Sequence, residues 1–196
     1  FGKFGVYDAS PDDWACEARR YYFNIVGKYG TPVQNVLKKL SSFSIEKICP
    51  LHGPVLTENL DYYIGKYITW SRYAPEEPGV LIAFASIYGN TKKAALFLEE
   101  KLKQAGVEKI VLSDLARSDM AEVIEDAFRY DRMILMAPTY DAGLFPVMES
   151  FLHHLKAKNY CNRKIGLVEN GSWAPVAAKK MQEIIEQNLP IKKVQM

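Results

Sequence analysis

The sequence predicts an α/β protein: a doubly wound parallel sheet of strand order 2-1-3-4-5, preceded by a smaller helical segment with one strand. Three observations carry this. Apolar runs beginning at Val80, Met133 and Ile165 read as parallel strands buried on both faces. Each run ends in a loop rich in small, hydroxyl and amide residues. Each loop is followed by an amphipathic helical pattern, as alternating βα units require.

In chain order, Ser10-Pro11-Asp12-Asp13 reads first as a helix start, with Ser as N-cap, Pro at the first position and acids at the positive end of the dipole. Trp14, Ala18, Tyr21, Tyr22 and Ile25 then recur at helical spacing. Thr31-Pro32 opens a second helix with Val33, Val36, Leu37 and Leu40 on its apolar face. Ser44–Cys49 alternates like a strand, 50–55 is a loop, and Thr57–Trp70 is a third helix with Leu60, Ile64, Tyr67 and Ile68 inward. Residues 74–79 (APEEPG) combine two prolines, a glycine and two acids, and mark a linker between a unit at 1–73 and a unit at 80–196. Strands are then expected from Val80, Ile110, Met133 and Ile165, with a fifth at Ile191–Met196. The start at Phe1 without Met and the end at Met196 read as cuts in a longer polypeptide, with the fifth strand and last helix truncated.

Composition narrows the function. A formal net charge of +2 over 196 residues argues against a dedicated nucleic-acid binder, and the paired lysines are scattered over solvated faces. No apolar stretch is long enough to span a bilayer and no signal-peptide pattern opens the chain, so no membrane role is expected. Three cysteines, an odd number without metal-site spacing, suit a reducing cytoplasm, and Cys49 reads as a buried small hydrophobe. His153 and His154 are adjacent, not four apart, and read as surface or packing residues.

The chemistry lies in the loops. After the first sheet strand come Ser86-Ile87-Tyr88-Gly89-Asn90-Thr91, a glycine-containing loop that opens a helix. Backbone N–H groups and the helix N-terminus there converge on one spot suited to a phosphate. With no Walker lysine and no G-x-G-x-x-G, a monophosphate such as FMN fits better than a triphosphate or NAD. The next two loops, Pro138–Pro146 and Glu169–Pro175, fall on the same carboxyl edge, where ligands of open α/β sheets bind. From them Thr139, Tyr140, Asp141, Ala142, Gly143 and Leu144, and Asn170, Gly171, Ser172 and Trp173, are candidates to hold the flavin ring. Trp173 is the first choice to stack on it, with Tyr140, Leu144 and Phe145 nearby. Gly143 and Gly171 would admit positive φ and close backbone approach. Asp141 and Glu169 read as solvated loop acids, or as negative charge beside the ring.

SIYGNT at 86–91, APTYDAGLFP at 137–146 and ENGSWAP at 169–175 resemble the flavodoxin-like domain of flavodiiron proteins. DWACEARRYY at 13–22 and CPLHGPV at 49–55 resemble the end of that family's metallo-β-lactamase-like domain. The resemblance covers nearly the whole chain. It implies an FMN-binding electron-transfer portion of an oxidoreductase that reduces dioxygen to water or nitric oxide to nitrous oxide. It further implies a rubredoxin-like donor or NAD(P)H-linked reductase, and a head-to-tail homodimer. His52 matches an iron ligand of the family; the other ligands of its diiron site lie upstream in the family, and Asp8 does not match one. No residue here is assigned a catalytic role, and the fragment alone is expected to be inactive at the iron step. Two alternatives stand beside this reading: a flavodoxin-type electron carrier without a diiron site, and an interaction domain that has lost its flavin.

Overall fold

The computed structural model describes residues 11–188 and 194–195. The expected N-cap Ser10, and Asp8, lie outside the described residues, as do residues 191–193 and 196 of the expected fifth strand. The chain divides into two compact units, Phe1–Ala74 and Pro75–Met196.

The first unit is helical. Helix α1 (Pro11–Tyr21) runs into a π-helical turn (Tyr22–Val26), a 3₁₀ turn (Gly27–Tyr29) and α2 (Gly30–Leu40); α3 spans Leu60–Ser71. The π turn inserts an extra residue and rotates the side chains beyond it about the helix axis. Tyr22 and Phe23, which open this turn, are both buried, while Tyr21, at the end of α1, and Ile25, both expected inward, are 40% and 61% exposed. The core is aromatic: the Tyr22 ring lies 5.4 Å from Trp70 and 5.5 Å, edge-on, from Tyr67. Tyr73 ties α2 to the end of α3, its hydroxyl donating to Gly27 O (2.8 Å) and accepting from Gly30 N–H (3.2 Å). A Cβ on Gly30 would lie 2.4 Å from Ser71 O, so this approach requires glycine.

Four expectations for this unit are corrected. The strand at Ser44–Cys49 does not form; Ile48 and Leu56 exchange a single pair of backbone hydrogen bonds at 2.9 Å. A lone bridge gains too little to extend, and Cys49, expected buried, is exposed. Helix α3 starts at Leu60, not Thr57, because Asn59 takes a left-handed conformation (φ 53°) that ends the preceding loop. On α2, Val36 and Leu40 are exposed rather than covered within this unit.

The second unit is a sheet of order β2-β1-β3-β5-β6, parallel along this path, with β4 antiparallel on β3. The strands are β1 (Glu77–Phe84), β2 (Ile110–Asp114), β3 (Tyr130–Tyr140), β4 (Gly143–Leu144), β5 (Lys164–Asn170) and β6 (Val194–Gln195). The helices are α4 (Asn90–Gln104), α5 (Met120–Arg129), α6 (Pro146–Ala157) and α7 (Ala177–Asn188). Setting the β4 arm aside, this is the expected 2-1-3-4-5 order. On one face Val80, Ile82, Phe84 and Met136 pack under Ala95, Leu98 and Leu102 of α4, whereas Ala94, also expected inward, is exposed. The other face carries Leu81, Ala83 and Leu135, fully buried, as the alternation of side chains along a strand requires.

The expected linker is partly strand. Glu76 N–H donates to Arg129 O (2.9 Å), and Glu77 begins β1. Burial alone would raise the Glu77 pKa, but hydrogen bonds from Lys109 and from Arg129 Nε (2.5 Å) reverse this and hold the carboxyl below its usual range. The acid reads in sequence as a solvated linker residue; it anchors the amino edge of the sheet.

Candidate functional site

Parallel pairing of β1 with β3 and of β3 with β5 sets three loops side by side at the carboxyl edge. The first contains Ser86–Gly89 and leads into α4. Gly89 is left-handed (φ 84°) at the N-cap, and no side chain caps the helix. Its N–H groups therefore have no side-chain acceptor from within the turn, as a phosphate-binding start needs. Thr91 is buried, Ile87 and Asn90 are exposed, and Tyr88 is 90% exposed. The Ser86 hydroxyl is buried at this point and has no hydrogen-bond partner.

Neighbouring helix starts are closed in other ways. Asp119 caps α5, accepting from Ala121 N–H at 2.7 Å. Helix α6 opens with Pro146, whose missing N–H removes one orphan donor. Helix α7 is capped from a distance: Thr139 Oγ1 accepts from Val176 N–H (2.9 Å) and Ala177 N–H (3.2 Å), and Glu169 Oε2 accepts from Ala178 N–H (2.9 Å). Glu169 is thus exposed, as a solvated loop acid is, and also caps a helix. The Thr139 hydroxyl keeps one hydrogen to donate.

The second loop is a tight hairpin. Tyr140 pairs with Gly143 and Thr139 with Leu144, and both intervening residues, Asp141 (φ 48°) and Ala142 (φ 53°), are left-handed. That geometry matches a two-residue type I′ turn. Positive φ falls on these two residues and not on Gly143 or Gly171, contrary to the expectation from the glycines. An alanine in that region is strained, and such strain gathers at ligand sites. Leu144 is buried, so it supports the hairpin from beneath; Tyr140 is half exposed, its ring 5.5 Å from Phe145.

In the third loop, Asn170, Gly171, Ser172 and Trp173 are all exposed, and Trp173 is 97% exposed. A Cβ on Gly171 would come within 3.1 Å of Pro175 Cα and 3.3 Å of Thr139 Oγ1. Close approach is therefore its role, joining the second and third loops. The carboxyl edge presents an uncapped helix start, an orphan hydroxyl and exposed aromatic rings on each of three loops. A planar apolar ring bearing a phosphate has the matching chemistry.

A family model described as flavodoxin domain matches residues 81–195, more than half of the chain. The chain belongs to the flavodoxin-domain family. Its fold is that of solved flavodiiron structures. Rubredoxin oxygen:oxidoreductase from Desulfovibrio gigas superposes with a TM-score of 0.85 at 20% identity, over 99% of this chain and 51% of that one. The flavodiiron protein from Giardia intestinalis gives 0.84 at 18% identity, over 94% and 48%. An uncharacterized protein of Methanocaldococcus jannaschii is 26% identical over 172 residues, covering 87% of this chain and 44% of its own length. This flavodoxin-domain chain thus spans about half the length of the relatives it matches.

His52 belongs to the first unit. It is exposed there, its ring 5.1 Å from Tyr21. The following Gly53 has φ 133°, and a Cβ there would meet the Trp14 ring at 2.1 Å, which fixes the loop against α1. Among the described residues no group of three or more His, Cys, Asp or Glu is placed to hold a metal ion. His153 and His154 are both exposed on α6. No helix among the described residues is long and apolar enough to cross a membrane.

Proposed function

We propose that this chain is the FMN-binding, electron-transfer portion of a flavodiiron-type oxidoreductase that reduces dioxygen to water or nitric oxide to nitrous oxide. The observation that carries the FMN assignment is the buried, unpartnered Ser86 hydroxyl at the uncapped start of α4. A buried polar group without a partner costs about 1–3 kcal/mol, and a bound phosphate oxygen supplies the acceptor. Backbone N–H groups of Gly89–Thr91, with the Asn90 and Thr91 side chains, complete the phosphate cradle. Trp173 and Tyr140, with Ile87 and Tyr88, cover the ring, and loop residues 139–144 and 170–172 border it. Bound FMN supplies transfer of electrons singly or in pairs; the protein binds the ring, orients it and sets its surroundings. The electron donor would be rubredoxin-like or an NAD(P)H-linked reductase, and the assembly a head-to-tail homodimer in the cytoplasm.

A single imidazole does not fit a diiron centre, which needs several ligands in matched geometry. His52 is proposed as one iron ligand of the longer protein, and no step here runs through iron.

The test is a visible absorption spectrum of the purified chain after adding FMN and removing the excess. Flavin bands near an equimolar ratio are expected; a folded, colourless protein would overturn the assignment. Ser86→Ala is expected to weaken FMN binding by about 1–2 kcal/mol while raising the stability of the flavin-free protein. If affinity and stability move in the same direction, Ser86 is a packing residue and not a phosphate contact.

A further inference from the structure

The first turn of α4 carries charges that its own dipole opposes. Asn90-Thr91-Lys92-Lys93 contains no acid, and both lysines are exposed. A helix N-terminus bears about half a positive elementary charge, so cations there are disfavoured. At the far end of the same helix the arrangement is the favourable one. Lys101 and Lys103 occupy the last turn, with Lys103 Nζ 2.7 Å from Glu99 and Lys101 Nζ 3.2 Å from Gln104. Among the described residues neither Lys92 nor Lys93 has an ion-pair partner. Helix α7 also opens with a lysine pair, Lys179-Lys180, but there Glu169 caps Ala178 N–H and Lys180 pairs with Glu183 at 3.1 Å. Of these two pairs, the one on α4 is left uncompensated, at a helix start that is also uncapped and preceded by the orphan Ser86 hydroxyl.

We infer that Lys92 and Lys93 act as a charge selector, making this loop prefer a flavin bearing a dianionic phosphate over the same flavin as a neutral alcohol. The inference rests on the flavin reading above and adds to it two residues outside the loop that cradles the phosphate. The lysines need not touch the phosphate. They stand within one helical turn, about 5.4 Å of rise, and act through the field they add to the helix terminus. In the ligand-free protein that field is a cost; with a dianion bound it becomes an attraction. A purely structural pair of surface lysines would show neither sign change.

The experiment compares FMN with riboflavin, which shares the ring and lacks the phosphate. Affinities are measured for the unaltered chain and for Lys92→Gln/Lys93→Gln, at about 0.01 M and about 1 M salt, where the screening lengths are about 30 Å and about 3 Å. Glutamine has nearly the helix propensity of lysine, so the helix itself is not weakened. At low salt the double variant is expected to bind FMN about four- to twenty-fivefold more weakly, from about two- to fivefold per lysine. High salt should remove that difference, riboflavin affinity should not move, and the ligand-free melting temperature should rise. Equal FMN affinity for the two proteins at low salt, or an equal loss for FMN and riboflavin, overturns the selector. An unaltered chain that binds neither flavin overturns the flavin reading and the selector with it; one that binds both flavins with no effect of the lysines overturns the selector alone.

Discussion

Arg163→Met is expected to lower the unfolding free energy of this chain by about 3–6 kcal/mol, the sum of two charge-assisted hydrogen bonds of about 1.5–3 kcal/mol each. The guanidinium is buried just before β5. Its Nη2 donates to Phe128 O, and its Nη1 donates to Cys161 O at 3.0 Å. Phe128 lies in the last turn of α5, where carbonyls have no partner within the helix, so Arg163 closes that end from a distance of 35 residues. The same group stacks 5.7 Å from the fully buried Tyr160 ring, which meets Phe128 edge-on at 5.1 Å. Burial pulls the arginine pKa below its usual value, and burial pushes the Tyr160 hydroxyl well above its own. Methionine keeps much of the stem's volume but neither donor. Urea unfolding with an unchanged m-value checks this. Because Arg163 adjoins the amino end of β5, opposite the loops, FMN affinity should be unaffected in the folded variant. A stability loss under about 1 kcal/mol would place the arginine among ordinary surface-type cations.

The parts of the fold legible in the sequence are those set by local pattern. Strands β1, β3 and β5 carry apolar runs long enough to read directly, as strands covered by helices on both faces do. Their loops then fall on one edge as a consequence of parallel pairing. What the sequence hid depends on contacts far along the chain. The segment before α7 offers Pro175-Val176 and no Ser, Thr, Asp or Asn immediately ahead of the helix; its cap comes from Thr139 and Glu169. The lack of a local cap was the available signal that one had to be supplied from elsewhere. The β4 hairpin is hidden because Asp141-Ala142 is a poor type I′ pair, stabilised by the register of Thr139 against Leu144 and not by residue preference. In the first unit the π turn goes with the packing of Tyr22 and Phe23 on Trp70. Helical spacing alone picked Ala18 and Tyr22, which are buried, but also Tyr21 and Ile25, which are exposed, and passed over Phe23.

Trp173→Ala is expected to weaken FMN binding by about 1–3 kcal/mol, roughly five- to 150-fold, without moving ligand-free stability by more than about 0.5 kcal/mol. Both halves rest on one observation. At 97% exposed, Trp173 packs against almost nothing in this structure, so its removal costs the folded state little. A tryptophan of about 150–250 Å² has the area to cover one face of a flavin, and an aligned aromatic pair adds about 0.5–1.5 kcal/mol beyond burial. Its loop is positioned for this by Gly171, which sits within contact distance of Thr139 in the neighbouring loop. Binding should also quench the Trp173 fluorescence, and Trp173→Phe should recover most of the affinity because the flat apolar face is retained. If Trp173→Ala binds FMN as tightly as the unaltered chain, the ring lies elsewhere on this edge. Tyr88, 90% exposed on the phosphate loop, then becomes the stacking residue to replace next.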